Sequence, residues 1–394
     1  MSMMLHPGVS VVPVTSGPKS HFFGYYDKCP WDETGRYLLG METDLTTEAP
    51  GAGDTAVVGL IDTANDCSWQ PLAKTTAWNW QMGSRLHWLP TAPTRRIVCN
   101  ARQGKQFVAV LRDVFTGDET CLSRPVYDVT RDGKVAYTLN FSRLAAYRPG
   151  YGYAGVPDAS AEELRPDDDG IWRMDLETGQ ERLLVSYAAM ASFEPVPSMA
   201  GVAHWFNHIM INPSGTRLFF YHRWRKMEGQ IKSWHTRLVT IDPDGSRPFV
   251  IPGLNRVSHY DWRDDRHILL TAYLPGATCY SHVLVADQTG ERRVLGADLL
   301  RENGHCSYSP NREWILTDTY PDADSRSTLL LFRPRDETRI EVGRFWSPPA
   351  FTGEARCDLH PRWNRDGTRV CFDSPCQGHR QMLVADLSDL IRNS

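Results

Sequence analysis

The chain lacks most features that assign a sequence to a class on sight. No segment approaches the roughly 18 apolar residues needed to cross a bilayer, and Met1 to Val14 has no basic cluster followed by a long apolar run. A cytoplasmic protein without membrane contact is expected. Neither charge dominates: 43 Lys and Arg stand against 47 Asp and Glu, a net charge of −4, so no overall field draws nucleic acid, and any anion site must be local. The nine cysteines are odd in number and contain no CxxC pair, which suits reduced thiols in a cytoplasm. GxSxG, HExxH and P-loop patterns are missing, which leaves a serine nucleophile elbow, a helical zinc motif and a phosphate cradle without support. Gly150 to Gly155 spells GxGxxG, but it follows Arg148-Pro149 where a strand is needed, and Pro157 interrupts the helix that should follow. Helical periodicity is nearly absent.

What is present is repetition. A strand–turn–strand signal occurs seven times: 31–39, 88–99, 129–139, 211–220, 262–272, 308–317 and 363–372. A second signal alternates with it, an apolar strand usually ending in Asp, at 57–62, 108–113, 171–175, 238–242, 282–287, 328–333 and 382–386. Seven copies of a unit only slightly longer than the roughly 40–50 residues usual for a four-stranded blade predict an all-β, seven-bladed β-propeller. The strand Val9 to Val14 is expected to pair with the last blade and close the ring. One domain should span residues 1–394, with an insertion at 140–170 inside the third blade.

In a propeller the innermost strand of each blade starts at the end of the ring where ligands usually bind. Counting three residues back from the turn of each inner strand gives Lys28, Arg85, Val126, His208, His259, His305 and His360. Six of the seven are basic or imidazole, so one axial mouth is expected to favour a carboxylate or phosphate. His222 and Arg223, at the end of the fourth blade's second strand, should emerge beside His208. The third-blade insertion adds Asn140, Arg143, Tyr147, Arg148, Tyr151 and Tyr153, aromatics beside arginines that suit sugar stacking and carboxylate pairing. His259, His305 and His360, with Cys306 or Cys357 near two of them, offer ligands for a divalent ion (Mn, Zn or Ca), although a metal-free site is equally open.

Three segments carry a family resemblance: His21 to Asp32 (HFFGYYDKCPWD), the HxxxNPSGxxxxFxHR stretch from His208 to Arg223, and Arg148 to Tyr153 (RPGYGY). With them the chain, read as TolB-like blades, resembles the propeller-type polysaccharide lyases: ulvan lyases, rhamnosyl-glucuronate lyases and oligogalacturonate lyase. The resemblance implies β-elimination at a uronic acid in an oligosaccharide or polysaccharide. It also implies His, Tyr and Arg acting on the top face, with His208, His222, Arg223 and Tyr153 in matching kinds of position, and in some members a metal ion. The histidines and glutamine that bind manganese in oligogalacturonate lyase do not map here residue by residue.

On the chemistry, removing the C5 proton of a uronate builds charge on its carboxylate, which Arg223 and Arg85 are expected to neutralise. His208 is the expected base and His222 or Tyr153 the acid. His21, Lys28, Gln81, Arg143 and Tyr151 are expected substrate contacts. The alternative is a noncatalytic propeller that binds an anionic sugar or a protein partner; the oligomeric state stays open.

Overall fold

Six of the seven hairpin signals form the inner pair of strands of one antiparallel sheet, and the apolar runs that alternate with them form the third strands; in the first blade the 31–39 signal supplies only the start of the second strand and an isolated Trp31–Leu38 bridge, and Ser20–Phe22 is the innermost strand. A computed structural model describes residues 3–225, 233–254 and 256–392. Its strands form seven sheets, the blades of a β-propeller. In the first blade the order outward is Ser20–Phe22, Tyr37–Thr43, Ala56–Asp62 and Ser68–Thr75. The fourth runs Ala203–Ile211, Leu218–Arg225, His235–Ile241 and Phe249–Val250.

The repeated residues have a local cause. Asp or Asn at the start of an inner turn accepts backbone N–H groups that the ladder leaves over: Asp32 from Tyr37, Asn212 from Arg217 and Asn364 from Arg369. The Asp closing a third strand caps the next turn the same way, as Asp113 does for Phe115 and Thr116. The apolar alternation between these turns packs neighbouring blades face to face.

The ring closes as expected. Ser10–Pro13 is the outermost strand of the seventh blade, with Val12 opposite Val384. Met3–Leu5 adds a fifth strand to the sixth blade. In the third blade the insertion leaves the second strand at Thr138, forms a short helix Phe141–Tyr147 capped by the Asn140 side chain, and returns at Gly170. No helix among the described residues is long and apolar enough to cross a membrane.

Candidate active site

The inner strands deliver side chains to the channel by leaving regular geometry. The ladder of the fourth blade is irregular between Asn207 and Met210, and that of the fifth between Val257 and Tyr260. His208 and His360 adopt φ of 59° and 43°, and Arg85 55°, a left-handed conformation that side chains rarely take and that surrounding packing must hold in place.

A cavity of about 590 Å³ lies at the end where these strands start, lined in part by Tyr25, Arg148, Tyr151, His208, Arg223 and Trp234. Tyr25 stacks on His208 with ring centroids 5.2 Å apart and meets His360 edge-on at 5.0 Å. Tyr151 approaches His208 edge-on at 5.5 Å. Arg148 lies over Tyr151 and Trp234, and Arg223 over Tyr221 and the same Trp234. Neither guanidinium has a carboxylate partner among the described residues, and the Nε of each is buried without a hydrogen bond. Burial first, and Arg148 second, push the Arg223 guanidinium down to about 10. Two such cations lining one cavity without carboxylate partners are stabilised by an arriving anion.

Beside this cavity the histidines gather. His259 and His305 have ring centroids 3.9 Å apart, and His305 and His360 4.3 Å. The Nε2 atoms of His305 and His360 are buried without a partner, and Asp358 Oδ2 lies 4.0 and 3.8 Å from them. His305 Nδ1 is 2.8 Å from Asp318, the carboxylate–imidazole arrangement that orients a metal-ligating histidine. His305, Asp358 and His360 thus form a buried group able to hold a divalent ion. His259 stands beside it but outside it. Cys306 is packed among apolar side chains of the fifth and sixth blades, and neither it nor Cys357 belongs to the group.

Of the thirteen residues expected to act on, contact or hold a metal for the substrate, the structure brings His208, Arg223 and Tyr151 to the cavity and His259 to its wall, with His305 and His360 packed behind His259 and Tyr25. The others are placed elsewhere. His222 points between strands, with Nε2 2.8 Å from His204 and Nδ1 accepting from Arg237 at 3.1 Å. It is a fully buried sheet histidine, since alternation puts it on the opposite face from Tyr221 and Arg223. Tyr153 lies flat on Phe141 with centroids 4.4 Å apart, and its hydroxyl accepts from Asn100 at 3.0 Å. Arg143 is wholly buried and holds the insertion together through Asp158 and the carbonyls of His204, Glu163 and Leu164.

Arg85 gives both Nη atoms to Asp27, at 3.0 and 2.7 Å, and is spent as a neutraliser. Lys28 pairs with Asp128 and lines the cavity at the other end of the channel. The register count fails there because residues 23–30 of the first blade are irregular. Tyr25, not Lys28, is the first-blade residue that stands level with the histidines. The detour passes so close to the second blade that a Cβ on Gly24, whose φ is 128°, would meet the Met82 carbonyl at 2.8 Å. His21 is 3.2 Å from Glu42 and edge-on to Trp69. Gln81 sits behind the cavity wall, bonded to Arg356.

Sequence reasoning missed Tyr25, Arg356 and Asp358. Asp358-Leu359-His360 carried a signal, because alternate residues of an extended segment share a face.

No protein-family model matches the chain, and no curated protein matches it in sequence. Solved structures do match. An oligogalacturonate lyase from Vibrio parahaemolyticus aligns over 98% of this chain and 96% of its own, with 14% identity and a TM-score of 0.66. An oligogalacturonate lyase in complex with manganese aligns over 100% and 98%, with 16% identity and a TM-score of 0.69. The chain shares their fold. The β-propeller domain of the Trilobed protease from Pyrococcus furiosus, at 9% identity, aligns over 94% and 95% with a TM-score of 0.54. The likeness is therefore one of architecture, shared by proteins of different activity.

Proposed function

We propose that the cavity binds a uronic-acid unit of an oligosaccharide or polysaccharide and cleaves it by β-elimination. The observation that carries this reading is the pair of guanidiniums, Arg148 and Arg223, left without a carboxylate partner among the described residues and placed beside neutral imidazole and phenol groups. The likeness in fold to oligogalacturonate lyases supports it.

In the reaction a base removes the C5 proton, the C4–O4 bond breaks, a C4–C5 double bond forms, and the departing oxygen takes a proton. Arg148 and Arg223 hold the carboxylate and offset the charge that builds on it. Burial, then Arg223 and Arg148, keep the His208 imidazole well below its ordinary range, so it is unprotonated near neutrality and free to accept a proton. Its Nδ1 lies 3.3 Å from the Tyr127 hydroxyl, and a proton held there leaves Nε2 as the base. Tyr25 replaces His222 and Tyr153 as the acid. Its buried hydroxyl has no protein partner, and burial, with neighbouring tyrosines, raises it well above the usual phenol range so that it keeps its proton until the leaving oxygen needs it.

The residues fit a divalent ion, because two buried imidazole nitrogens and a carboxylate converge with no other partner for the nitrogens. His305, Asp358 and His360 would hold it, and when bound it supplies Lewis-acid neutralisation of the substrate carboxylate.

The test is the ultraviolet absorbance of the unsaturated product. His208→Ala is expected to lower the rate by about 10²–10⁴-fold; a rate within tenfold of the parent removes His208 from the mechanism. Uronate binding by the parent chain without any absorbance change would leave an anionic-sugar-binding propeller instead.

A further inference from the structure

We propose that Arg356 is a positioning residue joining the metal group to the substrate cavity, an inference that rests on the reading of His305, Asp358 and His360 as a metal site. Its guanidinium is turned inward. Nε donates to both oxygens of Asp358, at 3.1 and 2.8 Å, and Nη2 donates to Tyr151 Oη at 3.1 Å and to Gln81 Oε1 at 3.2 Å. Gln81 also donates its Nε2 to the Arg356 carbonyl at 3.1 Å, so one amide clamps both the side chain and the backbone of the arginine.

The Asp358 side chain is almost fully buried, and Arg356 is the arginine that pairs with it. A buried carboxylate with no partner is costly and free to swing, whereas the Arg356 Nε, shared between both oxygens and itself held by the Nη2 bonds to Tyr151 and Gln81, restrains its plane and leaves lone pairs toward the imidazoles. Oδ2, the oxygen held at 2.8 Å, is also the one nearest His305 and His360. The opposing effect is repulsion between the guanidinium and an incoming cation. Orientation wins, because the carboxylate lies between the two and neutralises both, and outer partners of metal ligands typically strengthen binding about 10–100-fold.

The far side of the fork reaches the cavity. The Tyr151 ring stands edge-on to His208 and to Tyr25, the base and acid proposed above. Arg356 is thus the shared support of a metal ligand and of the cavity wall, and one substitution is expected to move two separate readouts.

Manganese(II) is titrated calorimetrically into the chelator-stripped full chain, and KM is measured separately by product absorbance. The parent chain is expected to bind. Arg356→Met is expected to weaken binding by about 10–100-fold and to raise KM, while Arg356→Lys, which keeps the charge but not the fork, recovers only part of the loss. Gln81→Ala, which removes no charge, is expected to weaken manganese binding by a smaller factor and carries the test if Arg356→Met does not fold. Tyr151→Phe is expected to raise KM and leave manganese affinity unchanged. A folded Arg356→Met chain, or failing that Gln81→Ala, that binds manganese as tightly as the parent overturns the positioning role while the metal reading stands. A parent chain that binds no manganese overturns both.

Discussion

The two ends of the channel are built by the same inner strands and differ in how their charges are matched. At the turn end, a cavity of about 650 Å³ contains Asp27, Lys28, Asp128, Asp261 and Arg312, and each of these has an opposite charge within 4 Å. At the start end, Arg148 and Arg223 have none among the described residues. The buried charges of the larger cavity are thus matched, and its remaining charged groups, Glu33, Arg131 and Arg365, are exposed to solvent. A cavity whose buried charges are already matched needs nothing from a ligand, whereas a buried Arg223 and a half-buried Arg148 without carboxylate partners give an anion a reason to enter. Pairing, rather than cavity size or a count of basic residues, separates a scaffold from a site.

The contrast can be broken from either end. Arg85→Met, which strips the buried Asp27 of its bidentate partner, is expected to cost about 3–5 kcal/mol of stability in denaturant unfolding. The folded fraction should keep its activity within tenfold; a loss as large as that of His208→Ala would show that the Arg85–Asp27 pair takes part in the chemistry. Arg148→Ala and Arg223→Ala are each expected to lower kcat/KM on a uronate substrate by about 10²–10³-fold. Neither should lower the melting temperature, because each removes a cation, buried at Arg223 and half-buried at Arg148, that lacks a counter-charge. Melting well below the parent would mean that these guanidiniums are structural after all.

Lys28→Met breaks only a partly buried pair, and about 1–2 kcal/mol of stability is expected to go with it, with activity unchanged. Acid is the gentlest probe. Burial is the first cause lowering His87 to about 3, His282 to about 4 and His222 well below 6.5. Below pH 6.5 the unfolded chain binds protons that the folded chain refuses, so stability falls as pH drops from about 6.5 toward 4, by at most roughly 1.4 kcal/mol per histidine per pH unit. Asp261, raised to about 6 chiefly by burial, acts in the opposite sense between about pH 4 and 6 and offsets part of the loss. Melting temperatures measured from pH 7 to pH 4.5 check the slope, and a flat profile contradicts it.

The blades were legible because turn chemistry repeats: Asp32, Asn212 and Asn364 perform one task at equivalent places, and period-two alternation needs no knowledge of distant contacts. The histidines were legible for the same reason, since His208, His259, His305 and His360 stand at equal spacing before the turns of successive inner strands, although the backbone there leaves regular strand geometry. The same count misplaced Lys28, because the first blade's inner segment leaves the ladder after Phe22 and carries Tyr25 to the position a strand would have given Lys28. His222 was misread by one step of alternation. Arg85 and Arg143 illustrate a deeper limit. Whether an arginine is spent depends on acids far away in sequence, here Asp27 at a separation of 58 residues and Asp158 across a loop, and such pairings have no local pattern. Asp358 lay within reach through its spacing from His360, whereas Arg356 did not, for its partners Gln81 and Tyr151 come from other blades.

The central claim is that the start-end cavity takes a sugar acid because it cancels the acid's charge. Matched uronate oligosaccharides with free and with reduced carboxyl groups, incubated with the chain and followed for double-bond absorbance, test this most directly. Product should form from the free acids and fall to background when the carboxylate becomes a hydroxymethyl group. Equal turnover of the reduced sugars, or cleavage that incorporates water without a double bond, would contradict it.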